Sequence, residues 1–289
     1  MFMYTDYNQH LLDNVKKIHF IGCGGSGMYP LIQILAAKGY QISGSDVLDG
    51  SIIRYEREMG VKVSLGHSAD NVTDDISFVI RTAAVHDDNP EVHEAHRRGI
   101  PVFERTQAWG ALMCGYQNAL CISGTHGKTT TTSMCTHIMM AAEKDPTVMI
   151  GGTLPLLKAC HRVGKGNTII MESCEYYNSF LALNPTIAVV LNIEADHLDF
   201  FKDLEDIKHS FRCFAERVPA ESGTVIANYD DANTMDALRG IARKVITFGL
   251  NAKADVYAQN IVHRGSVSEF DIYHRGNYFA RVTLHVPGI

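Results

Sequence analysis

A chain of 289 residues is long for one domain and comfortable for two. With 46% hydrophobic and 20% charged residues it has the balance of an ordinary soluble globular protein, able to bury its cores without metal or disulfide staples. A formal net charge of −6, with no run of Lys and Arg longer than two, argues against a nucleic-acid partner. No stretch approaches the roughly 18 apolar residues of a membrane span, and the opening MFMYTDYNQHLLDNVKK lacks the apolar centre of a signal peptide. A cytoplasmic protein without membrane insertion is therefore expected. Cysteines stand at 23, 114, 121, 135, 160, 174 and 213, an odd set with no C-x-x-C pair. That argues against a zinc ribbon or a disulfide framework and predicts buried, reduced thiols.

Two strand–loop–helix units organise the pattern. The first begins with the apolar strand 17–21, runs into GCGGSG, and continues as a helix over 28–38 that Gly39 closes. Strands follow at 41–44, 61–65, 76–80 and 101–103, with helices at 51–59 and 90–98. Such alternation predicts a doubly wound parallel sheet. A short Gly-Tyr-Gln-Asn turn within 114–118 marks the domain boundary, giving domains 1–116 and 117–289. The second unit starts with strand 119–123, enters SGTHGKTTTT, and continues as a helix to about Ala142. Strands at 168–171 and 187–191, a helix at 204–217, strand 224–228, a short helix and strand 245–248 complete an α/β pattern. Beyond 255 the stretches 256–263, 266–274 and 278–286 are separated by Arg-Gly turns, which predicts a small antiparallel subsheet.

Gly22-Cys-Gly24-Gly25-Ser26-Gly27 satisfies G-x-G-x-x-G between a strand and a helix. A tight turn, close backbone approach and a helix N-terminus suit a diphosphate there. Asp46 closes the next strand, 19 residues beyond Gly27, where a dehydrogenase would bind the adenosine ribose. The geometry serves NAD and a UDP-sugar equally well.

Ser123-Gly124-Thr125-His126-Gly127-Lys128-Thr129-Thr130 carries the GK[ST] end of a phosphate loop. Its backbone N–H groups would wrap phosphates, Lys128 would offset their charge, and Thr129 would place a hydroxyl on Mg²⁺. The general spacing asks for glycine at 122, and that residue is Ile122. A dehydrogenase has no use for this second loop, and a simple NTPase has none for the first. Together they suggest a reaction that spends ATP on a substrate carrying its own nucleotide handle.

HFIGCGGSGM from His19, SGSD from Ser43, GTHGKTTT from Gly124, ESCEY from Glu172 and NIEADHLD from Asn192 together resemble the Mur ligases, in family order and over nearly the whole chain. The family's phosphate loop is the shorter GTxGKT form, which accounts for Ile122. Within the family, the similarity points to the branch that joins L-alanine to UDP-N-acetylmuramate in peptidoglycan biosynthesis. The resemblance implies a Rossmann-like UDP-sugar-binding domain followed by a P-loop-type central domain. It also implies an acyl-phosphate mechanism: the muramate carboxylate takes the γ-phosphoryl group of ATP, and the amine then displaces phosphate. Lys128, Glu172 and His197 are the implied catalytic residues, with Thr129, Glu172 and His197 around Mg²⁺. Imidazole is an unusual partner for that hard cation, so His197 as a direct ligand sits less easily than Glu172. ATP would lie on Gly124, Thr125, His126, Gly127, Lys128, Thr129 and Thr130. The UDP-sugar would lie on Gly22, Gly24, Gly25, Ser26, Gly27, Asp46, His67 and Thr82.

Arg81-Thr82-Ala-Ala departs from the Ser-Ser that opens the matching family loop, leaving two readings for Arg81, a phosphate contact or an exposed side chain. Glu175, Asp196 and Asp199 are likewise either supporting partners of the site or solvated carboxylates. The family has a third domain beyond the Pro-Gly that here is Pro287-Gly288, so the chain is read as a shortened form expected to be inactive alone. Competing readings are a peptide-adding recycling ligase of the same family, a non-catalytic UDP-sugar or nucleotide sensor, and a dehydrogenase supported by the first loop alone. Oligomeric state leaves no signal.

Overall fold

The computed structural model describes residues 10–286, so Pro287-Gly288 lies outside the described residues. Internal contacts divide the chain into two compact units. The first holds the described residues up to 117 with 135–170 and 182–184, and the second holds 118–134, 171–181 and the chain from 185 onward.

In the first unit β1 (Lys17–Ile21), β2 (Gln41–Asp46), β3 (Lys62–Leu65), β4 (Phe78–Arg81) and β5 (Val102–Glu104) form one sheet ordered β3-β2-β1-β4-β5. Every pairing in it is parallel. Helices α1 (Tyr29–Ala37), α2 (Ser51–Glu58) and α3 (Pro90–Arg97) supply crossovers. Ile18, Phe20 and Ile21 are completely buried, as a central parallel strand covered on both faces requires. α1 carries no charge and buries Pro30, Leu31, Ile32, Ile34 and Leu35. Strand order reverses between β1 and β4, so the Gly22–Gly27 loop emerges at the switch point of the sheet, where ligands of such folds bind.

Three features depart from the predicted elements. β4 begins at Phe78, because Ile76 is spent in a turn in which its N–H donates to the Thr73 carbonyl at 3.1 Å. Directly after β5 comes α4 (Arg105–Met113), a helix with no periodicity to read, since every residue from Ala108 to Met113 is buried. β7 (Thr147–Leu154) and β8 (Ala159–Arg162) form an antiparallel pair whose register slips between Met149 and Leu154. Gly151-Gly152 interrupts the alternation that would have marked β7.

In the second unit β6 (Asn118–Ser123) leads into the first turns of α5 (Lys128–Ala141). Further on come β9 (Thr168–Glu172), β10 (Ile187–Val190), α6 (Leu204–Glu216), β11 (Thr224–Asn228), α7 (Ala232–Ala237) and β12 (Lys244–Gly249). β13 (Val256–Arg264), β14 (Val267–His274) and β15 (Asn277–Leu284) follow. The second sheet includes, side by side, β15-β14-β13-β12-β11-β10-β6-β9. β6, β10, β11, β12 and β13 pair parallel in series, and the last three strands pair antiparallel as expected. Only two residue pairs join β12 to β13, where the sheet changes character.

α6 fixes the segment after β9. Its N-cap Asp203 accepts from the Asp206 N–H, and it buries Ile207, Phe211, Phe214 and Ala215. Phe180 stacks flat on Phe214 at 4.6 Å and meets Phe211 edge-on at 5.3 Å. Among the described residues no helix is long and apolar enough to cross a membrane. The described cysteines are all free, yet only Cys23 and Cys121 are buried, while Cys114 and Cys174 are exposed, which corrects the expectation of buried thiols throughout.

Candidate functional site

β6 delivers the Gly124–Gly127 loop and α5 begins at Lys128, so the first amides of the helix have no carbonyl one turn back to bond. Ile122 is fully buried and pairs with Val189 of β10, which explains why the loop starts later than the general motif. Gly124 has φ of +142°, and an added Cβ would lie 2.8 Å from the Cβ of Leu191, so only glycine fits. Asn192 clamps the loop from the other side: its Oδ1 accepts from the His126 N–H at 2.7 Å and its Nδ2 donates to the His126 carbonyl at 3.0 Å. Thr125 bridges to the same segment, its Oγ1 accepting from the Glu194 N–H at 2.9 Å. Thr130 and His126 are exposed.

Lys128 folds back over this loop. Its Nζ donates to the Gly124 carbonyl at 2.6 Å, to the Thr125 carbonyl at 3.2 Å, and to both oxygens of Glu175 at 3.0 and 3.2 Å. Glu175 is 2% exposed, so of its two sequence readings the solvated one is excluded. Thr129 Oγ1 donates to Glu172 Oε1 at 2.9 Å, bringing a hydroxyl and a carboxylate oxygen together at the helix start. Hard oxygen donors of this kind suit Mg²⁺, which also keeps waters and phosphate oxygens in its shell. His197 Nε2 lies 4.0 Å from Glu175 Oε1 and 3.9 Å from Asp196 Oδ2. Among the described residues no group of three or more His, Cys, Asp or Glu side chains is placed to hold a metal. Thr129 and Glu172 offer the oxygen donors that Mg²⁺ prefers, whereas His197 would offer a nitrogen.

The backbone here is strained. His197, Tyr177 and Asn178 all have left-handed φ, at 52°, 53° and 55°, a region that bulky side chains rarely enter. Tyr176 stacks on the His197 ring at 4.3 Å and donates its hydroxyl to Asp199 Oδ2 at 2.5 Å. That bond and the neighbouring Tyr177 raise the Tyr176 pKa.

The first glycine loop is built differently. Gly22 turns with φ of +78°, and an added Cβ there would lie 2.6 Å from Thr82 Cγ2. Gly22 and Cys23 donate to the Ser45 carbonyl at 2.8 and 3.1 Å. Asp46 is engaged with backbone: Oδ2 accepts from the Gly24 N–H at 2.9 Å and Oδ1 from the Leu48 N–H at 3.0 Å. Gly25 and Ser26 are exposed. His67 Nδ1 lies 3.0 Å from Ser45 Oγ and 3.4 Å from Glu91 Oε2. Glu91 is fully buried and was not foreseen as part of this site; it also accepts from Ser45 Oγ and Asn71 Nδ2, both at 2.5 Å. Burial pushes its carboxyl upward, but His19, Ser45 and Asn71 outweigh burial and hold it below the usual range. Arg81 Nη1 pairs with Asp87 Oδ1 at 2.5 Å.

A strand-borne phosphate loop with lysine, threonine and two carboxylates, and a second glycine loop at a sheet switch point, are thus present in one chain. The family profile described as Mur ligase middle domain matches residues 122–289, and that described as Mur ligase family, catalytic domain, matches residues 17–117. The UDP-N-acetylmuramate–L-alanine ligase of Caldanaerobacter subterraneus subsp. tengcongensis is 42% identical over 96% of this chain and 60% of its own length. That of Agathobacter rectalis is 43% identical over 94% and 59%. The chain thus spans about 60% of the length of these curated relatives. Among solved structures, the UDP-N-acetylmuramate:L-alanyl-γ-D-glutamyl-meso-diaminopimelate ligase of Neisseria meningitides superposes with a TM-score of 0.80 at 25% identity, covering 95% of this chain and 89% of that one. The UDP-N-acetylmuramate-alanine ligase of Thermotoga maritima gives 0.73 at 27%, covering 94% and 61%. Both halves of the chain and both loops agree: this protein belongs to the Mur ligase family.

Proposed function

We propose that the chain carries the UDP-sugar-binding and ATP-binding parts of a ligase that joins L-alanine to the carboxylate of UDP-N-acetylmuramate in the cytoplasm. Residues 1–116 serve the UDP-sugar and 117–289 serve ATP. The observation that carries this reading is the placement of Lys128 between the Gly124–Gly127 loop and a buried Glu175, at the mouth of a helix with free amides.

A carboxylate is a poor electrophile, so an amide forms at neutral pH only after a leaving group is attached. The muramate carboxylate oxygen attacks the γ-phosphorus of ATP, and the β–γ bridging bond breaks to release ADP. The alanine amine then adds to the acyl-phosphate carbonyl, loses a proton, and expels inorganic phosphate. In this chain Lys128 exchanges Glu175 and the loop carbonyls for the β- and γ-phosphate oxygens, while the α5 amides receive the remaining negative charge. Thr129 and Glu172 would hold Mg²⁺, which when bound would offset negative charge on the phosphates. Asn192 holds the loop in shape through both faces of its amide. His197, stacked on Tyr176, sits where it can hold Glu175 as Lys128 moves away.

ATP titration tests this directly. The chain is expected to bind ATP in the presence of Mg²⁺, and Lys128→Met to weaken that binding about ten- to one-hundred-fold, as loss of charge-assisted hydrogen bonds does. An unchanged affinity would contradict the role of Lys128. A second reading, a ligase that adds a preformed peptide, is favoured by the fit to the Neisseria structure across 89% of its length. The identity of the amine found in the product, L-alanine or a peptide, separates the two.

A further inference from the structure

Behind the Gly22–Gly27 loop lies a carboxyl group that the proposed reaction does not use. Glu56 of α2 is fully buried, as is Cys23 of the loop, and the Cys23 thiol donates a hydrogen bond to it. Ile53, one turn earlier on the same face of α2, presses on the loop as well. A Cβ added at Gly24 would lie 3.1 Å from Ile53 Cδ1 and 3.0 Å from Asp46 Oδ2. That same Asp46 oxygen accepts from the Gly24 N–H at 2.9 Å. The loop therefore rests on two carboxyl groups, one engaged with its backbone and one buried behind it. A buried carboxylate is ordinarily matched by a cation. Among the described residues the groups that act on the charge of Glu56 are instead a thiol and a second carboxylate: burial pushes its pKa to about 7, Cys23 opposes, and Asp46 adds to the rise. Towards α1 it faces Tyr29, whose hydroxyl pKa is raised by burial and by Glu56. Elsewhere on α2, Arg54, Tyr55, Arg57 and Glu58 are exposed, with Arg57 paired to Asp49, and Lys62 of β3 is exposed too. Arg105 of α4 meets the loop at its other end, against Gly27.

We propose that Glu56 is a proton switch for the first glycine loop: neutral, it lets the loop receive the anionic substrate, and ionised, it opposes that anion from behind, so that binding takes up a proton. The coupling is reciprocal. An anion on the loop disfavours a further negative charge beneath it, so the bound chain holds the Glu56 proton to a higher pH than the free chain does. By the same free energy, the ionised carboxylate weakens the anion. Affinity is therefore full below about pH 7, declines as the pH rises through the free chain's titration, and levels off above that of the bound chain. Burial gives the charge its reach, because packed protein screens it far less than water and salt would. This inference rests on the UDP-sugar reading above and adds to it a control of that site by pH.

The test is calorimetric titration of wild type and Glu56→Gln with UDP-N-acetylmuramate and UDP across neutral pH, in buffers of unlike ionisation heat. Wild type is expected to take up about half a proton per ligand near the midpoint and to lose about three- to tenfold in affinity between about pH 6.5 and 8.5. Glu56→Gln is neutral throughout, so it should take up no such proton and should keep the low-pH affinity at the high-pH end. Subtracting the variant from wild type removes any titration of the ligand's own phosphates. Equal pH dependence in the two chains overturns the proposal, and so does wild-type binding of the UDP-sugar with the same heat in every buffer. The second measurement needs no variant and decides the matter if Glu56→Gln does not fold. A wild-type chain that binds UDP but not the UDP-sugar contradicts the substrate reading alone, and the proton count with UDP still decides the switch. Binding of neither contradicts both.

Discussion

Lys128 and Glu175 form an ion pair in which the side chains are 14% and 3% exposed. Removing one partner strands the other in a poorly solvated place, so Lys128→Met should lower unfolding stability by about 3 kcal/mol. Adding Glu175→Gln should restore much of it, a non-additivity that urea denaturation of the two single variants and the double variant would show. Additive losses would mean that the pair does not couple. Glu56 gives a second residue-scale prediction. It is fully buried, and burial pushes its pKa to about 7, with a hydrogen bond from the Cys23 thiol opposing and Asp46 adding to the rise. The folded chain keeps this proton up to about pH 7, whereas the unfolded chain releases it near the ordinary value of 4.5. Its contribution to stability is therefore greatest below pH 4.5 and declines as the pH climbs towards 7. Glu56→Gln should stabilise the chain at pH 8 by up to about 3 kcal/mol and flatten that decline; an unchanged pH profile of melting would refute it. The loop that carries Lys128 and Thr129 was legible from the GK[ST] spacing between a strand and a helix, whereas Glu172 was singled out by the family resemblance alone. The burial of Glu56, Glu91 and Glu175 was not, since nothing local in the sequence says that a carboxylate on an amphipathic helix or a loop will face inward.

At the scale of elements, both glycine loops lie where the strand–loop–helix pattern put them, because turn chemistry is written in a few adjacent residues. α4 escaped notice because its buried stretch has no polar face, and β7 because paired glycines break its alternation. Gly22 shows how tightly the first loop is built: with φ of +78° and Thr82 Cγ2 only 2.6 Å from an added Cβ, Gly22→Ala should cost about 1–3 kcal/mol and disturb Thr82. Chemical denaturation measures the cost; a neutral substitution would show that the turn relaxes. The segment after β9 depends on α6 in the same way. Phe180, 1% exposed between Phe211 and Phe214, anchors it, so Phe180→Ala should lose about 3–5 kcal/mol and loosen the loop carrying Glu175 and Tyr176. Faster amide exchange at residues 174–181 than elsewhere would be the signature, and uniform exchange would count against it.

For the whole molecule, the functional reading depends on two nucleotide-type loops in one chain, since each alone has a commoner explanation. The family relationship agrees with both loops, while the matched relatives extend beyond the span that this chain covers. His197 shows how much of a site lies outside its motif: the fold stacks its imidazole on Tyr176 and sets Nε2 3.9 Å from Asp196 Oδ2 and 4.0 Å from Glu175 Oε1. Which partner a side chain meets is decided by chain segments far apart, and no spacing rule encodes that. The most direct test of the account is calorimetric titration of the chain with UDP-N-acetylmuramate, with NADH as control. Saturable binding of the UDP-sugar and none of NADH is the predicted result; binding of NADH alone would contradict it and return the first loop to a dehydrogenase reading.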